Sequence, residues 1–518
     1  MSLIWRRTGW GFCIARGEGA ALRGRGVVRA GHHWRRGCRL SWHTVMHPGL
    51  QVCRFKGTNT SVSTVIFTTA LLSGCQSSRS ASKDTAQTDP EAVVPVDDPT
   101  IGATGIIAQP HPEIGSLLVL TWQQSGSLDG HIEYSFDDAW LQTPALTAED
   151  GDSVEAIVLG VPFETSATWR FVGTLDGQAV TSSEHAAQTA ALPEGLPEAS
   201  LLVADPAAWV DSDRYLLASI NQDPGGWSGG TFWKFILDRQ GRYVWAHQTP
   251  EDNWSIFLRI SYDGDDILWD EATYWSQFDA GEASQVHRMK LDGTIVESVS
   301  TPGLHHAFVE LDDETLVWGA ADFTSETLRE RRPGEDYTDL WTCRDSFGVD
   351  YCQSNTLYWH EESDTFLYSF YTNSSVIEVD HATGETLHYW GQNPDWGFEP
   401  STAQFSWQHG VSYLPGGHLL LSTHTTAGVL ETVVREYAID EKTQTLQEVW
   451  SFGEGEGIHA DTAGEAHRLL NGNTLHNYGS SGHLREVTSD GEIVWEVEWA
   501  GTRLLGRSVF IDDLYTFL

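Results

Sequence analysis

Positive charge is scarce in this chain: 31 Lys and Arg stand against 72 Asp and Glu, a formal net charge of −41 over 518 residues. The shortage deepens along the chain. Eleven of the basic residues but one of the acidic ones precede or include position 75, which leaves 20 basic and 71 acidic residues beyond it. A body this acidic repels nucleic acid and anionic lipid headgroups, so nucleic acid is excluded as a partner. An anionic ligand would need a local positive site. Apolar spacing of helical period is also scarce, while Gly (50), Trp (23) and short alternating apolar runs are plentiful, which points to an all-β chain. Beyond Cys75 nothing is long and apolar enough to span a bilayer.

The first 75 residues are expected to lie outside the fold. The run "TVIFTTALLSGC", preceded by Arg54 and Lys56, ends in Leu72-Ser73-Gly74-Cys75. It resembles a bacterial lipoprotein signal, which implies export, cleavage, and a membrane anchor through lipid on Cys75. Residues 1–45 are rich in Arg and Trp without clear periodicity, and Met46 stands at the right distance before the signal to be the true start. Of six cysteines, Cys13, Cys38, Cys53 and Cys75 fall in this region. The other two, Cys343 and Cys352, are expected to form a structural disulfide, the usual state of paired thiols in an exported protein. Residues 76–100, rich in Ser, Thr, Asp and Pro, read as a flexible tether. From 101 to 192 come short strands at β-sandwich spacing. The passage "VLGVPFETSATWRF" is similar to the late strands of a fibronectin type III domain, with Trp169 packing its corner.

From Asp205 onward one phrase recurs about every fifty residues: a polar residue, four residues, an apolar residue, an Asp/Gly/Asn turn, an apolar residue. Copies begin at Asp205, Phe257, His306, Gln353, His409 and Glu465. Each is followed by an apolar run through Asp and Gly, as in "FILDRQGRYVW" and "MKLDGTIV". Such a period with four short strands per unit predicts a six-bladed β-propeller over residues 200–518. The first strand of each blade lines the channel, so His306, Gln353, His409 and Glu465 are expected to converge at one mouth, with His424 and His467 close by. The terminal "RSVFIDDLY" is expected to pair near "ASLLVAD" and close the ring.

The segments "WQHGVSYLPGGHLLL", "VVREYAIDEKTQTLQEVWSFG" and "GEAHRLLNGNTLHNYGSSGHLREVTSDGEIVWE" resemble the last blades of the arylsulfotransferase family. "HHAFVELDDETLVW" and "QSNTLYWHEESDTFLYSFYTNSSVIEVDHATGE" resemble its earlier blades, and the likeness covers roughly residues 200–500. It implies transfer of a sulfuryl group from an aryl sulfate to a phenol through a sulfohistidine, with no cofactor. His409 falls on the histidine that becomes sulfated and His306 on a second active-site histidine, although Ala307 stands where an Asp is usual. Asn355 matches, but Gln353 occupies a histidine position and Tyr371 that of the arginine that clamps the sulfuryl group. Ser422-Thr423-His424 replaces a Phe-Asp-Asn turn. The resemblance thus assigns catalysis to His409 and His306, and substrate binding to the positions of Gln353, Asn355 and Tyr371; the channel register adds His424, Glu465 and His467 as substrate-binding candidates. The missing clamp matters, since one donor to developing charge is worth about 3–4 kcal/mol.

Three readings follow from these residues: a sulfuryl-transfer enzyme with a reworked site, a propeller using the channel for another ligand (a metal on His306 and His409 included), or a non-catalytic scaffold. An enzyme needs His409 on an open, aromatic-lined pocket. A scaffold does not.

Overall fold

The computed structural model describes residues 94–518, apart from 226–229, 251–252, 276–278, 322–324, 349–351 and 502, and four short strands before residue 54. It divides into two compact units, 1–90 and 91–518. In the first, Cys13–Ile14 pairs with Ala21–Leu22 and Thr44–His47 with Leu50–Cys53. Cys75, the expected lipid site, lies outside the described residues. Among the described residues no helix is long and apolar enough to cross a membrane.

The second unit is all β, as composition implied. It begins with a sandwich. One sheet has the order Ser153–Val158, Leu118–Gln124, Ala103–Pro110, Val96–Asp98, and the other is built on Leu128–Ser135 and Ser166–Leu175. Every second residue of Leu118–Gln124 is buried, the period a half-covered strand requires. These residues meet Ile132, Trp169 and Phe171 from the facing sheet in one core. Val96–Asp98 belongs to this sandwich, so the fold starts inside the segment that composition reads as a tether. The sandwich is also seated directly on the sheets formed by the rest of the chain. Ile114, Leu117 and Leu159 share a core with Leu217, Trp245 and Phe517, and the Leu159 N–H donates to the Tyr515 hydroxyl at 3.1 Å.

Between Ala199 and Ile511 the described residues form six successive sheets, antiparallel apart from the edge strand Gly397–Glu399. The innermost strands of the second to sixth are Leu258–Ile260, Leu304–Glu310, Ser354–His360, His409–Leu414 and Glu465–Arg468. That of the first is not the segment after Asp205, where Pro206–Ala208 forms a 3-10 turn capped by the Asp205 carboxylate. It is Leu505–Ile511, which pairs with Tyr215–Asn221. Ala199–Ala204 instead forms the outer edge of the sixth sheet against Ile493–Trp499. The two chain ends therefore close two different sheets: "RSVFIDDLY" pairs, as expected, near "ASLLVAD", with the next strand Tyr215–Asn221 and not with that segment itself. Neighbouring inner strands lie side by side: Leu304–Glu310 with Ser354–His360, then His409–Leu414, Glu465–Arg468, Leu505–Ile511 and Leu258–Ile260. Phe257 and Phe308, with rings 6.4 Å apart, join the ends of the series. This is β-propeller architecture.

Four of these inner strands break register near one level. The shifts fall between Leu304 and Phe308, Ser354 and Thr356, His409 and Ser412, and opposite Leu505–Ser508. A bulge re-aims the side chains beside it and is a common device next to a functional site. The residues at or beside these shifts are His306, Asn355, His409 and Arg507.

Candidate active site

Those four residues meet. His306, Asn355, His409 and Arg507 line one narrow cavity of about 10 Å³, room for about one water molecule, together with Ile256, Phe257, Ala463, Gly464, Leu505 and Gly506. His409 is 6 % exposed and His306 9 %. Burial, and after it the neighbouring Arg507, pushes the His409 imidazole down to about 3. Burial together with His305, His409 and Arg507 holds His306 well below the ordinary histidine range. Both rings are therefore neutral at physiological pH.

Hydrogen bonds assign the His409 tautomer. Its Nδ1 lies 2.9 Å from the Trp407 carbonyl, which can only accept, so Nδ1 carries the proton. Its Nε2 accepts from the Ala463 N–H at 3.2 Å, which makes Nε2 the ring atom with the lone pair. That lone pair is covered in this structure, and a group attacking through it must displace a single, long hydrogen bond. Trp407 and Ala463, the residues that hold the ring from both sides, have φ of +52° and +59°. His306 has φ +68°. Left-handed backbone at non-glycine residues costs of order 1–3 kcal/mol each and is concentrated at functional sites.

Around His306 stand aromatic rings that the repeat does not mark. Trp275 lies 5.4 Å from it edge-on and Tyr371 6.2 Å. Trp407, 45 % exposed, lies 5.7 Å from Tyr371. The two family departures at Gln353 and Tyr371 touch each other: the Tyr371 hydroxyl donates to Gln353 Oε1 at 2.5 Å, and Gln353 Nε2 donates to the Tyr274 hydroxyl at 3.3 Å. Asn355 is buried, with Nδ2 donating to the Gln408 carbonyl at 2.7 Å. Behind His306 is His305, fully buried, its Nδ1 3.3 Å from His306 Nδ1 and 3.7 Å from Glu326.

Other residues expected at the mouth are elsewhere. His424 Nε2 donates to the Ala460 carbonyl at 2.7 Å and so braces the segment that carries Ala463, without lining the cavity. Glu465 lies under Arg507. Burial would raise its carboxyl, but His467, Arg507 and the Ser508 N–H hold it down to about 2. His467 Nε2 sits 3.0 Å from the same carboxylate. Cys343 and Cys352 are bonded, Cys343 opening the short helix Cys343–Phe347, whose first turn is capped by the Thr342 hydroxyl. Among the described residues no group of three or more His, Cys, Asp or Glu is arranged to hold a metal ion.

Arg507 is the site residue that the sequence pattern does not mark. Nη1 donates to the Gly464 carbonyl (2.9 Å) and Glu465 (3.2 Å), and Nη2 to the Asn355 carbonyl (3.0 Å) and Thr356 Oγ1 (2.9 Å). It is buried over the Phe257 ring.

Residues 339–500 match the family model described as arylsulfotransferase (ASST). That stretch of the chain is arylsulfotransferase-like, and the match supports a sulfotransferase-like function acting on small molecules. It takes in Gln353, Asn355, Tyr371, His409 and Glu465, while His306 and Arg507 fall outside it. No curated protein matches the chain in sequence. Among solved structures, a Bacteroides caccae protein of unknown function is 14% identical over 55% of this chain and 93% of its own, with TM-score 0.38. Virginiamycin B lyase from Staphylococcus aureus is 11% identical over 60% and 99%, TM-score 0.32. A putative 6-phosphogluconolactonase from Bacteroides uniformis is 14% identical over 74% and 100%, TM-score 0.35. Likenesses of this degree carry no functional weight.

Proposed function

We propose that this protein transfers a sulfuryl group from an aryl sulfate to a phenol through a covalent adduct on His409. The observation that carries the reading is the convergence of His306, Asn355 and His409, from three different sheets, on one cavity inside the arylsulfotransferase-like architecture. The chemistry follows from the tautomer. The Nε2 lone pair forms the N–S bond while the S–O(aryl) bond breaks, and the electron pair leaves with the phenolate oxygen. A second phenol then attacks the same sulfur, the N–S bond breaks, and Nε2 recovers its lone pair. His306, neutral and facing the cavity, takes the proton of the incoming phenol and returns it to a departing phenolate. Rings at Trp275, Tyr371 and Trp407 suit the aryl partners.

Incubation with a chromogenic aryl sulfate and a phenol tests this. Wild type should release phenolate and accumulate a sulfo-adduct. His409→Ala should fold normally and lose both, and His306→Ala should be slower but still form the adduct. A wild type without phenolate release would defeat the reading. It would leave the alternative that the covered Nε2 and narrow cavity favour, a non-catalytic ligand-binding or assembly scaffold. We further infer that the six sheets are blades of one six-bladed propeller, and that the mature protein is an exported lipoprotein anchored through Cys75. Membrane attachment that survives Cys75→Ser would refute the anchor.

A further inference from the structure

We propose that Arg507, carried by the closing strand, is the residue that stabilises the sulfuryl oxygens, a role that the resemblance gives to the position occupied here by Tyr371. The inference rests on the sulfuryl-transfer reading and adds to it a residue from outside the matched segment.

Two independent observations lead to it. The first is position: Arg507 shares the cavity with the proposed nucleophile His409 and with His306, at a register break that aims it inward. The four Nη hydrogens are taken by protein acceptors, so the guanidinium is fixed in place and its plane cannot rotate away. It acts on a bound anion through its charge, without reorganising. The second observation is a charge imbalance. Arg259, on the neighbouring inner strand, donates Nη2 to the Leu357 carbonyl at 3.1 Å and has its Nε–H buried with no acceptor. It is near enough to Arg507 for the two to repel, and both feel Glu465. Glu465 is thus shared by two guanidiniums and by His467. An uncompensated buried charge costs several kcal/mol unless an opposite charge joins it. A guanidinium without a carboxylate of its own suits the single negative charge of an aryl sulfate. In a chain of net charge −41 such a site does not arise by chance from abundant cations.

The inference also accounts for Tyr371. With a cation already supplied from the first sheet, the position in the fourth is free to carry a ring, and the bond to Gln353 ties that ring to the second departure. The clamp has moved to a different strand, and an aryl-facing surface has taken its place.

Inorganic sulfate is the probe, followed by calorimetric titration and as a competitive inhibitor, with adduct formation as a second readout. Wild type should bind sulfate. Arg507→Met should weaken that binding at least about tenfold and lower kcat/KM by at least as much, through loss of the charge. Arg507→Lys should restore most of the sulfate affinity. Glu465→Gln, which removes the opposing charge and keeps the shape, should tighten sulfate binding, an outcome that a purely structural role for Arg507 does not produce. A folded Arg507→Met protein with wild-type sulfate affinity and turnover overturns the proposal. If Arg507→Met does not fold, unchanged or weaker sulfate binding in Glu465→Gln overturns it. Sulfate binding that depends on Arg507, without aryl-sulfate turnover by wild type, would uphold the anion site and defeat sulfuryl transfer. Turnover that ignores Arg507 would do the reverse.

Discussion

His409 and His476 are buried and His247 is partly buried, and desolvation, with nearby Arg507, Arg485 and Lys234 respectively, pushes each down to about 3. In the unfolded chain the same rings titrate near 6.5. Below that pH the unfolded chain takes up protons that the folded one refuses, so stability is lost as the pH falls from about 6.5 toward 3. Each group contributes a slope of up to about 1.4 kcal/mol per pH unit in that window. The urea midpoint should accordingly drop between pH 6.5 and 4, and phenolate release should show no acid limb near 6.5 arising from His409. A midpoint flat across this range would contradict the burial of these rings. At this scale much of the site was legible. His306 and His409 stand at equivalent points of a repeat, and a shared register marks a common location; Asn355, two residues beyond the repeat position Gln353, was marked only by the family resemblance. That Gln353 and Tyr371 hydrogen-bond to each other was not legible, because sequence shows two substitutions but not the 2.5 Å between them.

The closing strand Leu505–Ile511 shows where the repeat fails as a guide. A blade is recognised by the turn joining its first two strands, and the strand that closes a ring meets its partner without one. No hairpin joins Tyr215–Asn221 to its inner strand for this reason, and the phrase at Asp205, which imitates one, caps a 3-10 turn instead. With the register misplaced in the first sheet, Arg507 was invisible as a channel residue. The sandwich was readable as strands at short spacing, but not its seating on the first sheet, which depends on Ile114, Leu117 and Leu159 meeting residues far along the chain. The closing strand packs with no room to spare. A Cβ at Gly506 would stand 2.1 Å from Ser219 Oγ and 2.3 Å from the Ile256 carbonyl oxygen. Gly506→Ala should therefore destabilise by roughly 1–3 kcal/mol, as overpacking does, and displace Arg507 enough to weaken sulfate binding. Gly105→Ala is the control on the sandwich: its Cβ meets nothing within 4 Å, though its φ of +66° carries the strain of left-handed backbone, about 1–2 kcal/mol. It should cost stability without touching sulfate affinity. Equal losses of sulfate binding in the two proteins would show that the closing strand does not set the position of the guanidinium.

The whole molecule sets two fields against each other. A body of net charge −41 repels an approaching aryl sulfate, while the channel offers Arg259 and Arg507 against Glu465. The body acts over long distance through water, where salt screens it with a length of about 30 Å at 0.01 M and about 8 Å at 0.15 M. The guanidiniums act over a few ångströms inside a buried cavity, where added salt screens little. Raising sodium chloride from about 0.01 to 0.15 M should thus remove mainly the repulsion. The expected result is a falling KM for the aryl sulfate at nearly constant kcat, the opposite of a site whose own surface steers the substrate in. Sodium sulfate at matched ionic strength should raise KM, because it screens the body but competes for the cavity. Steady-state kinetics in the two salts separates these terms. If KM rises in sodium chloride as steeply as in sodium sulfate, attraction already dominates at long range, and the acidic body does not govern how substrate arrives.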